Sequence, residues 1–263
     1  MLFPVALSLI TSSDIESYLR RIRYRGSLRP SLRVLRDLHY QHLLMVPFEN
    51  LDIHNGRMIL LEEERFYRKI VAWRRGGYCY ELNGLFALLL KRLGFNVFML
   101  NARVASKNRF SPDYDHMTLL IRLNGRRWLV DVGFGDLFTR PLELDHAGQQ
   151  YDNGRIYRVD KIAHRRLLSR WSETLQWEPQ YSFTLKPHRL ADFKRRNLYQ
   201  QRSPRSHFRK GRLVSQLTHQ GRMTLTDTKL IETRGSKRSE RPVKSRREFD
   251  KLLLKRFHMR LSR

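Results

Sequence analysis

With one cysteine in 263 residues, Cys79, the chain has no internal disulfide and must be held together by packing. Its length allows two or three packed units without such staples. No stretch approaches the roughly 18 to 20 apolar residues needed to span a bilayer as a helix. The opening MLFPVALSLITSSD has an apolar run but neither a basic n-region nor a small-residue cleavage site. It therefore reads as a strand or loop under the first helix, not as a secretory leader. Acidic residues are scarce too: 25 Asp and Glu face 52 Lys and Arg, for a formal net charge of +27. Residues 186–263 carry 24 basic and only 6 acidic side chains, so +18 of that charge sits in the last third. Such a field attracts polyanions without saying which.

Two hydrophobic periods divide the chain. Ile15, Tyr18, Leu19 and Ile22 fall on one helical face behind a capping box read at Ser13 and Glu16. Leu32, Leu35, Leu38, His42 and Val46 repeat the pattern until Pro47 stops it. A short helix is expected over 62–73 and a longer one from Cys79 to Leu93, closed by Gly94. From Asn96 the period becomes two: Phe98, Leu100, Ala102 and Val104 alternate, then Met117, Leu119 and Ile121, then Trp128, Val130 and Val132. Further strands are expected near 155–159 and 180–185, making a small barrel or curled antiparallel sheet. A helix over 190–199, an antiparallel pair turning at HQGR, and a helix capped by Ser245 and Glu248 follow. The stretch TRGSKRSERPVKSRR, 233–247, reads as a mobile basic loop. The division is thus 1–94 helical, 95–188 β and 189–263 α/β.

A lone thiol points to a reducing, cytoplasmic setting and leaves three readings: inert core residue, nucleophile or metal ligand. No Cys-x-x-Cys or His-x-x-x-His set accompanies it, which disfavours metal. Cys79 follows Gly76-Gly77 and opens a helix, where free backbone N–H groups and the macrodipole favour a negative sulfur and are expected to lower its pKa. The glycines permit a close backbone approach and leave space for a substrate carbonyl.

Asn124-Gly125 is a two-residue hairpin signal, and with that loop the residues whose numbers sum to 249 face one another. His116 then lies opposite Gly133 and Thr118 opposite Asp131, so His116 and Asp131 are diagonal neighbours on one face, away from Met117, Leu119, Ile121, Trp128, Val130 and Val132. A histidine and an aspartate able to meet, with a helix-starting cysteine elsewhere, suggest a Cys79-His116-Asp131 triad: nucleophile, proton acceptor, and the carboxylate fixing the ring's tautomer.

The stretch RGGYCYELNGLF, 75–86, resembles the active-site motif of arylamine N-acetyltransferases. VPFENLDIHNGR (46–57), DHMTLLI (115–121), VDVGFGD (130–136) and SPRSHF (203–208) occur in that family's order, so the resemblance covers nearly the whole chain. It implies an α+β fold of N-terminal helical bundle, central antiparallel β-barrel and C-terminal α/β lid, with a cysteine-protease-like arrangement of the triad. It also implies ping-pong transfer from acetyl-CoA, a co-substrate and not a resident cofactor, through a Cys79 thioester to an arylamine or arylhydrazine, a xenobiotic-metabolising chemistry. Its catalytic residues fall on Cys79, His116 and Asp131. Its acceptor pocket falls on Phe48 and Phe134, and its coenzyme contacts on Tyr199, Arg205, Ser206, Phe208, Gly133 and Gly135. Where the family usually has a small hydroxyl residue this chain has Arg202, beside Arg205, Arg209 and Lys210. These either hold coenzyme phosphates or form a solvated basic surface. Two rivals remain: another Cys-His-Asp acyltransferase or hydrolase of transglutaminase type, and a basic nucleic-acid-binding protein with a relic triad. The chain has no zinc finger, RNP-type aromatic run or helix-turn-helix pattern, so no specific nucleic acid is expected.

Overall fold

The computed structural model describes residues 11–106 and 109–261; the opening apolar run up to residue 10 lies outside them. The helical third comprises α1 (Ser12–Arg21), α2 (Leu32–Met45), α3 (Leu51–His54), α4 (Glu63–Tyr67) continuing into a π turn over Arg68–Ala72, and α5 (Cys79–Arg92), with a two-residue strand β1 (Phe48–Glu49) between α2 and α3. The first cap lies two residues earlier than expected. Thr11 is the N-cap and Asp14 closes the box, because Asp14 is short enough to reach back to Thr11 N at 2.8 Å. Elsewhere the helix ends fall where the punctuation put them: Val46 caps α2 before Pro47, and Leu93 caps α5 before Gly94, whose φ is +89°.

The middle third is one antiparallel sheet. Its strands are β2 (Asn96–Ser106), β3 (Arg109–Phe110), β4 (His116–Leu123), β5 (Arg126–Val130), β6 (Leu142–Glu143), β7 (Gln150–Asp152), β8 (Arg155–Ile162), β9 (Arg165–Trp171) and β10 (Trp177–His188). Their order is β6-β5-β4-β2-β10-β9-β8-β7, with β3 on β2. The end strands β6 and β7 are joined through a side chain: Gln150 Nε2 donates to Glu143 O at 2.9 Å and Gln150 Oε1 accepts from Glu143 N at 2.7 Å. One amide thus supplies the ladder that would close the barrel and covers both open edges. The hairpin register is the expected one, Leu119 facing Val130, Leu120 facing Leu129 and Ile121 facing Trp128.

Both hairpin faces are buried, which the alternation alone did not predict. Met117, Leu119, Ile121, Trp128, Val130 and Val132 pack on the helices around Leu82, Leu85 and Phe86, while Leu120 and Leu129 line a second core inside the barrel with Leu100, Ala102, Leu168 and Phe183. His116 and Asp131 are therefore enclosed and not turned to solvent.

The last third holds α6 (Lys194–Arg202), β11 (Leu213–Thr218), β12 (Gly221–Thr226), β13 (Lys229–Arg234), β14 (Lys237–Pro242) and α7 (Arg246–Phe257). These strands form a second sheet, β1-β11-β12-β13-β14, so the strand before α3 is its edge. Phe249, Leu252, Leu253 and Phe257 of α7 pack with Val214, Leu225 and Leu230 in a third core. The segment 233–247, read as a mobile loop, is instead a hairpin turning at Gly235 (φ +56°), and α7 begins within it. Its charges concealed the strands: Glu232 and Glu240 pair with Arg256, Lys229 and Arg238, so a highly charged edge is held by ion pairs and not by apolar alternation.

Candidate active site

Cys79 is the first residue of α5, and what precedes it is fixed by close backbone packing. Glu49 N donates to Gly77 O (2.8 Å), and Gly77 N donates to Pro47 O (3.3 Å). A Cβ on Gly76 would lie 2.1 Å from Pro47 O, and one on Gly77 would lie 2.8 Å from Glu81 Cβ. Gly76 is thus needed for the approach to β1 and Gly77 for the seating of Glu81, whatever room they leave for substrate. Under the turn lies a buried charge cluster. Arg75 binds Glu49 (2.6 Å) and Asp52 (2.5 Å), and Lys69 binds Asp52 (2.9 Å) and Glu81 (2.9 Å). Two cations and three carboxylates leave one negative charge over, which burial disfavours. Burial pushes Glu81 up to about 7, against the pull of Lys69, and a proton there neutralises the cluster. Glu81 also accepts from Tyr78 N (3.1 Å), tying the cluster to the residue before the cysteine.

His116 opens β4, and its Nε2 lies 2.6 Å from Asp131 Oδ2. The diagonal pair read from the hairpin is therefore made, although the β4–β5 ladder itself ends at Leu119 and Val130. Asp131 Oδ1 accepts from Asn83 Nδ2 and from Gly133 N, each at 2.9 Å. Burial would raise this carboxyl; His116, Asn83 and the Gly133 N–H outweigh that and hold it below the usual carboxylate range.

Asn83 did not stand out in the sequence. Besides Asp131, its amide nitrogen donates to Met117 O (2.6 Å) and its oxygen accepts from Val132 N (2.9 Å), bolting α5 to both strands of the hairpin. The available signal was its spacing, since a polar residue four after Cys79 on an otherwise apolar helix shares the cysteine's face. His39 on α2 was likewise missed: its Nε2 lies 3.1 Å from Asp131 O and its Nδ1 lies 2.9 Å from Thr139 O, fixing the backbone that carries the aspartate.

Cys79 lies against the end of the hairpin that carries this pair. A Cβ on Gly133 would lie 2.9 Å from both Cys79 Cα and Cys79 O and 2.7 Å from Asn83 Nδ2. Gly133, placed by the resemblance among the coenzyme contacts, is where the hairpin end seats on the backbone of Cys79. Gly133→Ala is expected to destabilise the fold by about 1–3 kcal/mol through overpacking and to displace Cys79, so thermal melting and activity should fall together.

Among the described residues no hydrogen bond joins the sulfur to His116; it lies under the backbone N–H groups of Met117 and Tyr80, and Met117 is the neighbour of His116. The expected depression of the thiol is not found. Burial pushes Cys79 well above its ordinary value, with the Asp115 and Asp131 carboxylates adding to this and the two N–H groups opposing it. A helix N-terminus stabilises an anion by about 0.3–2 kcal/mol, less than full burial removes.

The remaining sequence-derived residues fall around this centre. Phe134 is half-buried and stands edge-on to His116 (centroids 5.2 Å, 90°), with Tyr181, which the sequence did not single out, 5.2 Å from the same imidazole. Gly135 has φ +100° and its Cβ direction points at the Phe48 ring, 3.6 Å away, so Phe48 and the Phe134 segment meet. Phe48 stacks obliquely on Phe208 (6.2 Å), which packs on Tyr78 (5.5 Å). Ser206 is buried and its hydroxyl donates to Gln200 Oε1 (2.8 Å). Tyr199 lies under the Arg196 guanidinium (4.0 Å). Arg205 and Arg202 are exposed, whereas Arg209 donates to Arg202 O (2.8 Å) and caps the end of α6.

Residues 31–263 match a family model described as N-acetyltransferase. An arylamine N-acetyltransferase from Gallus gallus, a pineal gland isozyme, is 34% identical over 240 residues, covering 83% of this chain and 83% of its own length. The structure of the arylamine N-acetyltransferase from Salmonella typhimurium superposes with a TM-score of 0.90 at 31% identity, covering 95% of this chain and 92% of that one. The Mycobacterium marinum arylamine N-acetyltransferase in complex with CoA gives a TM-score of 0.86 at 30% identity over 93% and 92% of the two chains.

Proposed function

Because the chain belongs to the arylamine N-acetyltransferase family, we propose that it moves an acetyl group from acetyl-CoA to an aromatic amine or hydrazine through a thioester on Cys79. The observation that carries this reading is the buried His116–Asp131 hydrogen bond of 2.6 Å set against the backbone of the only cysteine, through Gly133 on one side and Met117 on the other. CoA in the Mycobacterium marinum relative supports the donor.

In the first half-reaction the Cys79 sulfur attacks the thioester carbonyl as His116 takes the thiol proton. The C–S bond to coenzyme breaks, and the departing coenzyme thiolate recovers that proton from His116. In the second, the amine nitrogen attacks the acetyl-Cys79 carbonyl, His116 takes the nitrogen's proton, and the C–S bond breaks to release the amide as His116 returns that proton to the sulfur. Asp131 holds the imidazole tautomer and stabilises its charged form. The first N–H groups of α5 have no intrahelical partner and face the developing oxyanion. Arylamines are weak bases and reach the site neutral, so a pocket of soft aromatic walls, Phe48 and Phe134, suffices for the acceptor. Tyr199, Arg205, Ser206 and Phe208, with Gly133 and Gly135, border the coenzyme channel, and the exposed Arg202 and Arg205 meet its phosphates.

No helix among the described residues is long and apolar enough to cross a membrane. The lone thiol suits a reducing, cytoplasmic setting, which supports this reading. A panel of arylamines and arylhydrazines assayed with acetyl-CoA, reading the release of free coenzyme thiol, tests the reading. Acceptor-dependent release supports it, and release that no acceptor accelerates refutes it.

A further inference from the structure

Helix α6 grips two residues that the chemistry does not name. Asn197 Oδ1 accepts from the hydroxyl of Tyr78, which directly precedes Cys79. One turn further along, Gln200 Nε2 donates to the carboxylate of Asp115, which directly precedes His116, and Arg196 Nε donates to the same oxygen at 2.6 Å. Tyr80, directly after Cys79, closes the frame by donating to Tyr114 O (2.6 Å). Tyr78, Asn197, Gln200 and Asp115 are all buried, so neither the Tyr78–Asn197 nor the Gln200–Asp115 bond competes with bulk water.

We propose that α6 is a positioning clamp that sets the approach of the Cys79 sulfur to the His116 imidazole by holding the residue before each of them. The inference rests on the acyl-transfer reading of those two residues. Asn197 and Gln200 touch neither reacting group and act through Tyr78 and Asp115. The clamp also has a lever. Ser206 donates to Gln200 at 2.8 Å, and Ser206 N–H is bonded to Ser203 O (3.0 Å), so anything that moves the 203–208 loop loads the same glutamine. A coenzyme seated on that loop thereby acts on the distance between nucleophile and base.

The test reads geometry through ionisation, with no coenzyme present. Asp115, Asp131, Tyr78 and Tyr80 face Cys79, Asp131 and Tyr181 face His116, and Arg196 and His207 stand one step out, against Asp115. Gln200→Leu and Tyr78→Phe remove none of these charges; burial pushes the Tyr78 hydroxyl well above its ordinary value, so Tyr78 is neutral throughout. The pH dependence of Cys79 alkylation by iodoacetamide is recorded for wild type, both variants, and Leu198→Ala on the exposed face of α6. The inflection is expected to rise by about one pH unit in Gln200→Leu and Tyr78→Phe, a tenfold loss of thiolate at fixed pH, and to stay in place in Leu198→Ala. A wild-type inflection below 8 that neither variant moves, even with a lowered melting temperature, overturns the clamp and leaves a purely structural helix. A wild-type inflection at the free-thiol value overturns the acyl-transfer reading and the clamp with it.

Discussion

Cys79→Ala is expected to abolish acetyl transfer completely and to leave the fold intact. Incubated with acetyl-CoA alone, the wild-type chain should gain about 42 Da, one acetyl group replacing one proton on the nucleophile, and the variant should gain nothing. The expectation of an undisturbed fold comes from the site. Besides the sulfur's contact with the Met117 N–H, the helix is anchored by Asn83, by Glu81 with Lys69, and by its apolar face, all of which the variant keeps. Intact-mass spectrometry and a thermal melt on the same samples decide the point. An acetylated Cys79→Ala chain would move the nucleophile elsewhere and dismantle the proposed mechanism. Absence of any adduct on the wild type with acetyl-, propionyl- and malonyl-CoA would turn attention to an amide donor of transglutaminase type.

The second large effect belongs to Asp131→Asn. The substituted amide keeps the shape and still accepts from Asn83 or Gly133 through its oxygen, but it donates where a carboxylate accepted and leaves His116 in the wrong tautomer. In a triad of this logic such a change lowers kcat by roughly 10⁴-fold. A stability effect accompanies it, with a definite pH sense. The Asp131 carboxyl sits below its unfolded value, so its contribution is present above the unfolded carboxylate pKa and is lost as pH falls through the folded one. Wild type should therefore lose stability on acidification from about pH 4 downward more steeply than Asp131→Asn. Thermal melts at pH 3 to 7 with steady-state rates at neutral pH test both halves. Retained activity in Asp131→Asn would remove the carboxylate from the mechanism.

What the sequence disclosed follows from where the information is local. Helix stops at Pro47 and Gly94, the register from Asn124-Gly125, and the pairing of His116 with Asp131 are all set by residues close in the chain, and all were readable. The hairpin 229–242 was not, because strands stabilised by cross-strand ion pairs lack the alternation that marks a half-buried strand. The burial of both faces of β4 and β5 was not readable either, since one strand's pattern says nothing of what a barrel later encloses. Most instructive is Cys79. Its helix-starting position was visible, and the expected anion stabilisation followed from it, but the depth of burial that outweighs it depends on a hairpin and a helix distant in sequence. Asn83 and His39 belong to the same class: their partners lie 48 and 92 residues away.

With burial driving the thiol up, only transfer of its proton to the neighbouring imidazole leaves a reactive sulfur at neutral pH. The direct measurement is the rate of Cys79 alkylation against pH in wild type and in His116→Gln. Proton transfer predicts an inflection well below 8 in the wild type and one above the free-thiol value of about 8.5 in the variant, where burial acts unopposed. Superimposable profiles, or a wild-type inflection at or above that of a free thiol, would contradict it.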